Sequence, residues 1–163
     1  MLNRIIKINP RNTIYFLGII SLVSLIFAFF MQHFFELIPC DLCILQRYPH
    51  YGILIVTILC LLKFSPKFCI YSILILSIIS IFFSLYHTLV ELDFIENFKG
   101  CSSHIVNKLD KTISLEELLS LKPTRCDFVS WSYLGLSMTN WNLVLSIILS
   151  IISMLTIRNF KRY

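Results

Sequence analysis

Cys40 and Cys43 stand three positions apart in the stretch IPCDLCILQRY, and Arg47 follows four positions after the second cysteine. Pairs at this spacing bind metals, pass electrons as a dithiol–disulfide couple, or pack as small apolar side chains. Cys101 and Cys126 form a second, wider group with 24 residues between them, and His87 ends a long apolar run. Only a thiolate attacks a disulfide, and an ordinary cysteine titrates near about 8.5. The pattern puts Cys43 at the amino end of an apolar helix, where unpaired N–H groups favour an anion. Arg47 lies one turn further along the same face and adds a positive charge, so Cys43 is the expected thiolate of the pair. Arg47 also admits a plainer role as a snorkelling interfacial anchor. His87 is either a functional ionisable group at membrane depth or a solvated one.

The elements that must position these residues follow from composition. The chain is 57% hydrophobic and 14% charged, against roughly 45–50% and 25% for soluble domains. A bilayer is the solvent such a chain fits. Crossing its hydrocarbon takes about 20 mainly apolar residues. Four stretches qualify, at 13–35, 44–62, 68–90 and 141–157, separated by outward loops at 36–43 and 91–140. Residues 1–163 therefore read as a single integral-membrane domain, an all-α bundle of four transmembrane helices. The second stretch is polar at its start, at Gln46, Arg47 and His50, and Pro49 there suits a first helical turn. The first stretch is longer than the roughly 7–15 apolar residues of a signal peptide and lacks a small-x-small cleavage site, so it is expected to be retained.

Charge gives the orientation. Arg4, Lys7, Arg11, Lys63, Lys67, Arg158, Lys161 and Arg162 share one side with no acidic residue; the other six basic and all nine acidic residues share the opposite side. Lysine and arginine near span ends mark the cytoplasmic side. The net charge of +5 thus reflects topology and makes no case for nucleic-acid binding. Cys40, Cys43, Cys101 and Cys126 then face the compartment in which bacterial disulfides persist. Cys60 and Cys69 fall at the cytoplasmic side as small buried hydrophobes.

Three readings compete for the outward four. A structural zinc site commonly uses two short-spaced pairs, and only one pair here is short. A structural disulfide suits the wide pair, whose loop closure is worth about 3 kcal/mol, yet explains the narrow pair poorly. Redox exchange accounts for both. Four cysteines allow three connectivities, and spacing does not choose among them.

At this point the residues carry a resemblance. PCDLCILQRY resembles the first motif of the disulfide bond formation protein B (DsbB) family. LYHTLVE, residues 85–91, resembles that family's histidine motif, and RCDFVSWSYLGLSMTNWN, residues 125–142, its signature after the last cysteine. Three motifs in order, with matching span count and orientation, cover nearly the whole chain. Thr139 departs from the pattern where proline is common, and Thr88 and Leu89 replace smaller residues beside the histidine.

The resemblance implies a protein-disulfide oxidoreductase of the bacterial inner membrane, with both termini cytoplasmic and the redox cysteines periplasmic. It would reoxidise a DsbA-like thioredoxin-fold thiol oxidase and pass the electrons to a membrane quinone, ubiquinone or menaquinone; this relay is established for the bacterial periplasm. By the family pattern the reduced partner attacks a Cys101–Cys126 disulfide at Cys101, and those two then exchange with Cys40–Cys43. Cys43 would donate to quinone, with Arg47 near a quinone oxygen and His87 lining the same region. No metal is implied. A DsbA-type oxidant near about −120 mV needs an acceptor of higher potential, which a bilayer-dissolved quinone supplies.

The segment ISLEELLSL, residues 113–121, reads as a short amphipathic helix in the long loop. Ser114 and Glu117 form a capping box and Ile113 can staple onto Leu118. It either lies on the membrane surface or packs on the bundle. Two other functional classes stay open. A quinone-linked reductase like the vitamin K epoxide reductases also pairs a four-helix bundle with two cysteine pairs, though its CxxC belongs late in the chain. A metal-binding or scaffold membrane protein is the third.

Overall fold

The computed structural model describes residues 9–35, 39–62, 64–92, 94–95 and 132–160. Cys101, Cys126 and the segment from Ile113 to Leu121 lie outside the described residues. Helix α1 spans Pro10–Phe34. A short helix α2, Asp41–Leu45, leads through Gln46 into α3, Arg47–Leu61. Helix α4 spans Pro66–Glu91 and α5 spans Met138–Phe160. With α2 and α3 counted together as Asp41–Leu61, four helices of 25, 21, 26 and 23 residues are long and apolar enough to cross a membrane. At about 1.5 Å per residue each reaches roughly 30 Å or more.

Local chemistry sets the helix starts. Asn9 caps α1, its Oδ1 accepting the N–H of Arg11 at 3.2 Å, and Pro10 occupies the first turn where no N–H is needed. Pro66 repeats the device at α4. The second span begins at Asp41 rather than the expected Ile44, because Cys40 acts as its cap. The last begins at Met138, ahead of the expected 141, directly after a hairpin of β1, Ser132–Tyr133, and β2, Leu136–Ser137. Tyr133 pairs with Leu136 across a two-residue turn, and both turn residues take positive φ, Leu134 at 55° and Gly135 at 75°. Two consecutive positive φ values are what a tight turn matching strand twist requires.

Successive helices run antiparallel, as contacts at both ends show. Ser80 meets Ser146 while Thr88 meets Asn140 on α4 and α5, and Ser21 meets His50 while Gln32 meets Arg47 on α1 and α3. The bundle carries its large apolar side chains on the outside as well as the inside, and buries a set of small polar ones. Ile19, Val23, Ile26, Ile75, Phe82, Ile151 and Met154 are exposed on its surface, whereas Ser21, Ser77, Ser80, Ser84, Ser146 and Ser153 are buried. In a bilayer the helices gain nothing by hiding leucine from lipid, and small polar residues let backbones approach.

The buried positions of α4 include Ile70, Ile73, Ser77, Ser80, Ser84 and His87, a 3–4 alternation that keeps one seam facing α5. Thr139, Ser146, Leu149, Ser153 and Thr156 line the answering seam. The hydroxyls are satisfied locally: Ser77, Ser153 and Thr156 each donate to the carbonyl four residues back at 2.8 Å. Gly18 lets α1 and α3 meet, since a Cβ there would stand 2.6 Å from Thr57 Oγ1 and 2.7 Å from its Cγ2.

Depth sorts the interior. An apolar core of Ile14, Leu17, Ile53, Cys60, Cys69, Ile70, Ile73, Leu149 and Ile157 fills the half nearer the described termini. Cys60 and Cys69 are free thiols within it. A smaller cluster at the other end holds Cys40 and Val90, with Leu42, Cys43 and Tyr86 against it. Polar side chains occupy the space between.

Candidate functional site

Cys40 leaves an extended backbone, φ −75° and ψ 166°, to begin α2. Its Sγ accepts the N–H of Cys43 at 3.3 Å, a thiol in the capping role that serine or aspartate usually fills. One helical turn then brings the two sulfurs to 2.8 Å. Cys40 is buried and Cys43 half-buried. The sulfur that takes the backbone N–H at this helix start is that of Cys40, whereas the sequence pointed to Cys43.

His87 reaches this pair from the C-terminal end of α4. Its Nε2 lies 3.7 Å from Cys40 Sγ. Its Nδ1 faces two partners, Gln46 Nε2 at 2.9 Å and Thr139 Oγ1 at 3.3 Å. The ring is 3% exposed, so these contacts fix its orientation. The donor atoms of Cys40, Cys43 and His87 lie within 4.8 Å of one another, close enough to share a metal ion.

Arg47 opens α3 directly after Gln46, whose backbone stays helical at φ −65° and ψ −21°. Its Nη1 donates to Gln32 Oε1 at 3.0 Å, and its Cζ stands 5.3 Å over the Phe29 ring. Both partners belong to α1, so the guanidinium bridges the first two spans beside the cysteine turn, held by a hydrogen bond and a cation–π contact.

Of the six expected site residues, Cys40, Cys43 and His87 thus meet at one point and Arg47 joins that end to α1. Cys101 and Cys126 lie outside the described residues. Sequence reasoning missed the polar groups that support the histidine. Gln46 Oε1 accepts from Asn142 Nδ2 at 3.5 Å, and the same nitrogen donates to Ser84 Oγ at 2.9 Å. His50 Nε2 meets Asn142 Oδ1 at 3.0 Å, and His50 Nδ1 meets Ser21 Oγ at 3.4 Å. Beside them Thr88 donates to Asn140 Oδ1 at 2.9 Å, and Ser137 donates to Glu91 Oε2 at 2.8 Å. Polar residues inside spanning stretches were the available signal, because such groups need partners in hydrocarbon. Two departures from the family pattern, Thr139 and Thr88, both prove to be hydrogen-bonding members of this region.

The arrangement provides a sulfur pair able to open and close without unfolding a helix, with an imidazole against one sulfur. Comparisons with known proteins agree with that chemistry. The family model of "Disulfide bond formation protein DsbB" matches residues 10–156, which takes in all four spans. An uncharacterized protein of Rickettsia prowazekii (strain Madrid E) is 30% identical over 137 residues, covering 81% of this chain and 78% of that protein. The motifs at residues 39–48, 85–91 and 125–142 fall within the matched region, and the early CxxC sets the chain apart from the reductase alternative. The chain is a multi-pass membrane protein that belongs to the DsbB family of thiol–disulfide oxidoreductases.

Proposed function

We propose that this protein reoxidises a DsbA-like periplasmic thiol oxidase and delivers the electrons to a membrane quinone. The observation that carries the reading is the meeting of Cys40, Cys43 and His87 at one end of a membrane-spanning bundle, with Arg47 beside them on the α1 side. That end is the periplasmic one if the eight-to-zero segregation of basic over acidic residues marks the cytoplasmic face. The membrane is then the bacterial inner membrane, with both termini in the cytoplasm.

The electron balance runs through two exchanges. The reduced partner gives up two thiol hydrogens and a Cys101–Cys126 disulfide becomes a dithiol. Those thiolates attack the Cys40–Cys43 disulfide; the loop disulfide re-forms and Cys40 and Cys43 become the dithiol. Closing that dithiol again releases two electrons and two protons.

Residues near the pair fit an amphipathic quinone head. A guanidinium carries five N–H donors in a planar fork, one of which goes to Gln32, and exposed Phe29 borders it toward lipid. Arg47 would hold a quinone oxygen, with His87 lining the same region against Cys40. Quinone when bound supplies a two-electron, two-proton acceptor. This chain's part is to bring a thiolate to the lipid side, keep water from it, and hold a proton on His87.

Reconstitution in lipid vesicles with quinone and a reduced thioredoxin-fold partner tests the reading, following thiol loss and quinone reduction together. Equal, quinone-dependent loss of both is expected. Absence of quinone-dependent oxidation in the wild type, or full turnover by Cys43→Ser, sinks it. Stoichiometric zinc with no such oxidation would place the protein in the metal-binding class instead.

A further inference from the structure

Five contacts run in series from the middle of the bundle to the redox pair. Ser21 on α1 meets His50 on α3 at 3.4 Å; His50 meets Asn142 on α5 at 3.0 Å; Asn142 meets Gln46 at 3.5 Å. Gln46 then meets His87 on α4 at 2.9 Å, and His87 meets Cys40 Sγ at 3.7 Å. Ser21, His50, Gln46, His87 and Cys40 are all buried, and Asn142 is half-buried. The chain threads all four spans.

Its atoms have a direction. Gln46 presents its amide nitrogen to His87 Nδ1, so Nδ1 is the accepting nitrogen and the ring proton of the neutral imidazole sits on Nε2, facing Cys40. Gln46 presents its oxygen to Asn142 Nδ2, which spends its other proton on Ser84 Oγ. Asn142 in turn presents Oδ1 to His50 Nε2, so that nitrogen carries the proton and His50 Nδ1 accepts from the Ser21 hydroxyl. Every member donates toward the cysteines. Turning one amide over sets donor against donor at one neighbour and acceptor against acceptor at the other. The polarity at the far end therefore fixes the polarity at the sulfur.

We propose that His50, acting through Asn142 and Gln46, is a positioning residue that locks His87 in the tautomer donating Nε2–H to Cys40. The inference rests on the exchange chemistry proposed above and adds to it a remote residue with no contact of its own to sulfur. The consequence is chemical. When the loop disulfide re-forms, one loop thiolate attacks the loop sulfur joined to Cys40 in a mixed disulfide; a new S–S bond forms, the mixed disulfide breaks, and the bonding pair leaves on Cys40 as a thiolate. The His87 Nε2–H is then in place to stabilise it. When the pair closes again, the same hydrogen bond holds the attacking Cys40 thiolate in line. The opposite tautomer would aim a bare nitrogen lone pair at that charge.

The tautomer is readable without quinone or partner. The full-length protein, labelled with ring-15N histidine and placed in lipid bilayers, contains only four histidines to resolve. His87 and His50 are both expected to show protonated Nε2 and unprotonated Nδ1 in the wild type. His50→Leu should lose the single tautomer at His87, whereas His50→Gln, which keeps an N–H for Asn142, should retain it. Ser80→Ala, which breaks a buried contact off the chain, should leave it alone.

In the Cys43→Ser background under reducing conditions, His50→Leu should slow alkylation of Cys40 about tenfold, the size expected for a lost hydrogen bond to a charged group. That slowing should vanish when His87 is also replaced by alanine. A wild-type His87 protonated on Nδ1 overturns the proposal even if no variant folds, and so does a His87 tautomer unchanged in His50→Leu. Neither result depends on turnover, so failure here and failure of the quinone relay are told apart.

Discussion

His87 Nε2 stands 3.7 Å from Cys40 Sγ, although the two residues lie 47 positions apart. The contact gives the two sulfurs different surroundings, with an imidazole at the buried Cys40 and a more open setting for Cys43. A pair with such asymmetry has a defined order of events: one sulfur is held and stabilised, the other is presented to outside reactants.

Replacing His87 by alanine removes the donor at Cys40 and leaves Gln46 and Thr139 facing a gap. Turnover should fall roughly 10- to 100-fold, the range for a lost hydrogen bond to a charged group. Steady-state oxidation of a reduced partner in vesicles measures it. Turnover within twofold of wild type would remove His87 from the chemistry.

Gly18 governs how closely α1 approaches α3. A methyl there would press on Thr57 Oγ1 at 2.6 Å and Cγ2 at 2.7 Å. Thr57 has little room to yield, because it is β-branched and its hydroxyl donates to Ile53 O at 2.8 Å. Gly18→Ala should destabilise by about 1–3 kcal/mol, as overpacking does, and Thr57→Ala in the same chain should restore most of the loss. Thermal unfolding in detergent compares the four proteins. An additive, unrescued double variant would show that the helices separate here without strain.

These two cases show what the sequence could and could not disclose. The spans were legible because their solvent demands some 20 apolar residues in a row, and Cys40, Cys43 and His87 stood out by residue type at the ends of those runs. The start of the second span was not legible at Cys40, since sulfur is not among the usual capping side chains. Arg47 stood out as a charge four positions after Cys43, but its partners Gln32 and Phe29 on α1 were not legible. His50, Gln46 and Asn142 were visible as polar residues in apolar surroundings. Their partnership was not, because contacts 41, 92 and 96 positions apart are set by packing of whole helices and leave no local pattern.

Arg47 offers a test of the quinone side. Lysine keeps the charge but loses the planar fork that bonds Gln32 while lying over Phe29. Arg47→Lys should raise the KM for quinone about tenfold, equal to roughly 1.4 kcal/mol of binding, with a smaller change in kcat. Quinone titrations at saturating partner separate the two constants. An unchanged KM with a reduced kcat would instead assign Arg47 to the sulfur chemistry, as its position in the sequence suggested.

The proposed order of exchange is open to dissection because the two cysteine pairs serve different reactants. Cys101→Ser removes the sulfur expected to form the mixed disulfide with the partner, yet leaves Cys40 and Cys43 and their contacts with His87 intact. Partner oxidation should fall to background while the reduced Cys40–Cys43 pair is still closed by quinone in a single turnover. Cys43→Ser should fail in the opposite sense: the loop pair can still react once with the partner, but no quinone is consumed. Thiol trapping followed by mass spectrometry, with quinone reduction monitored in parallel, reads both halves. If Cys101→Ser also prevents closure of Cys40 and Cys43 by quinone, the pairs do not act in sequence and a single shared site replaces the relay.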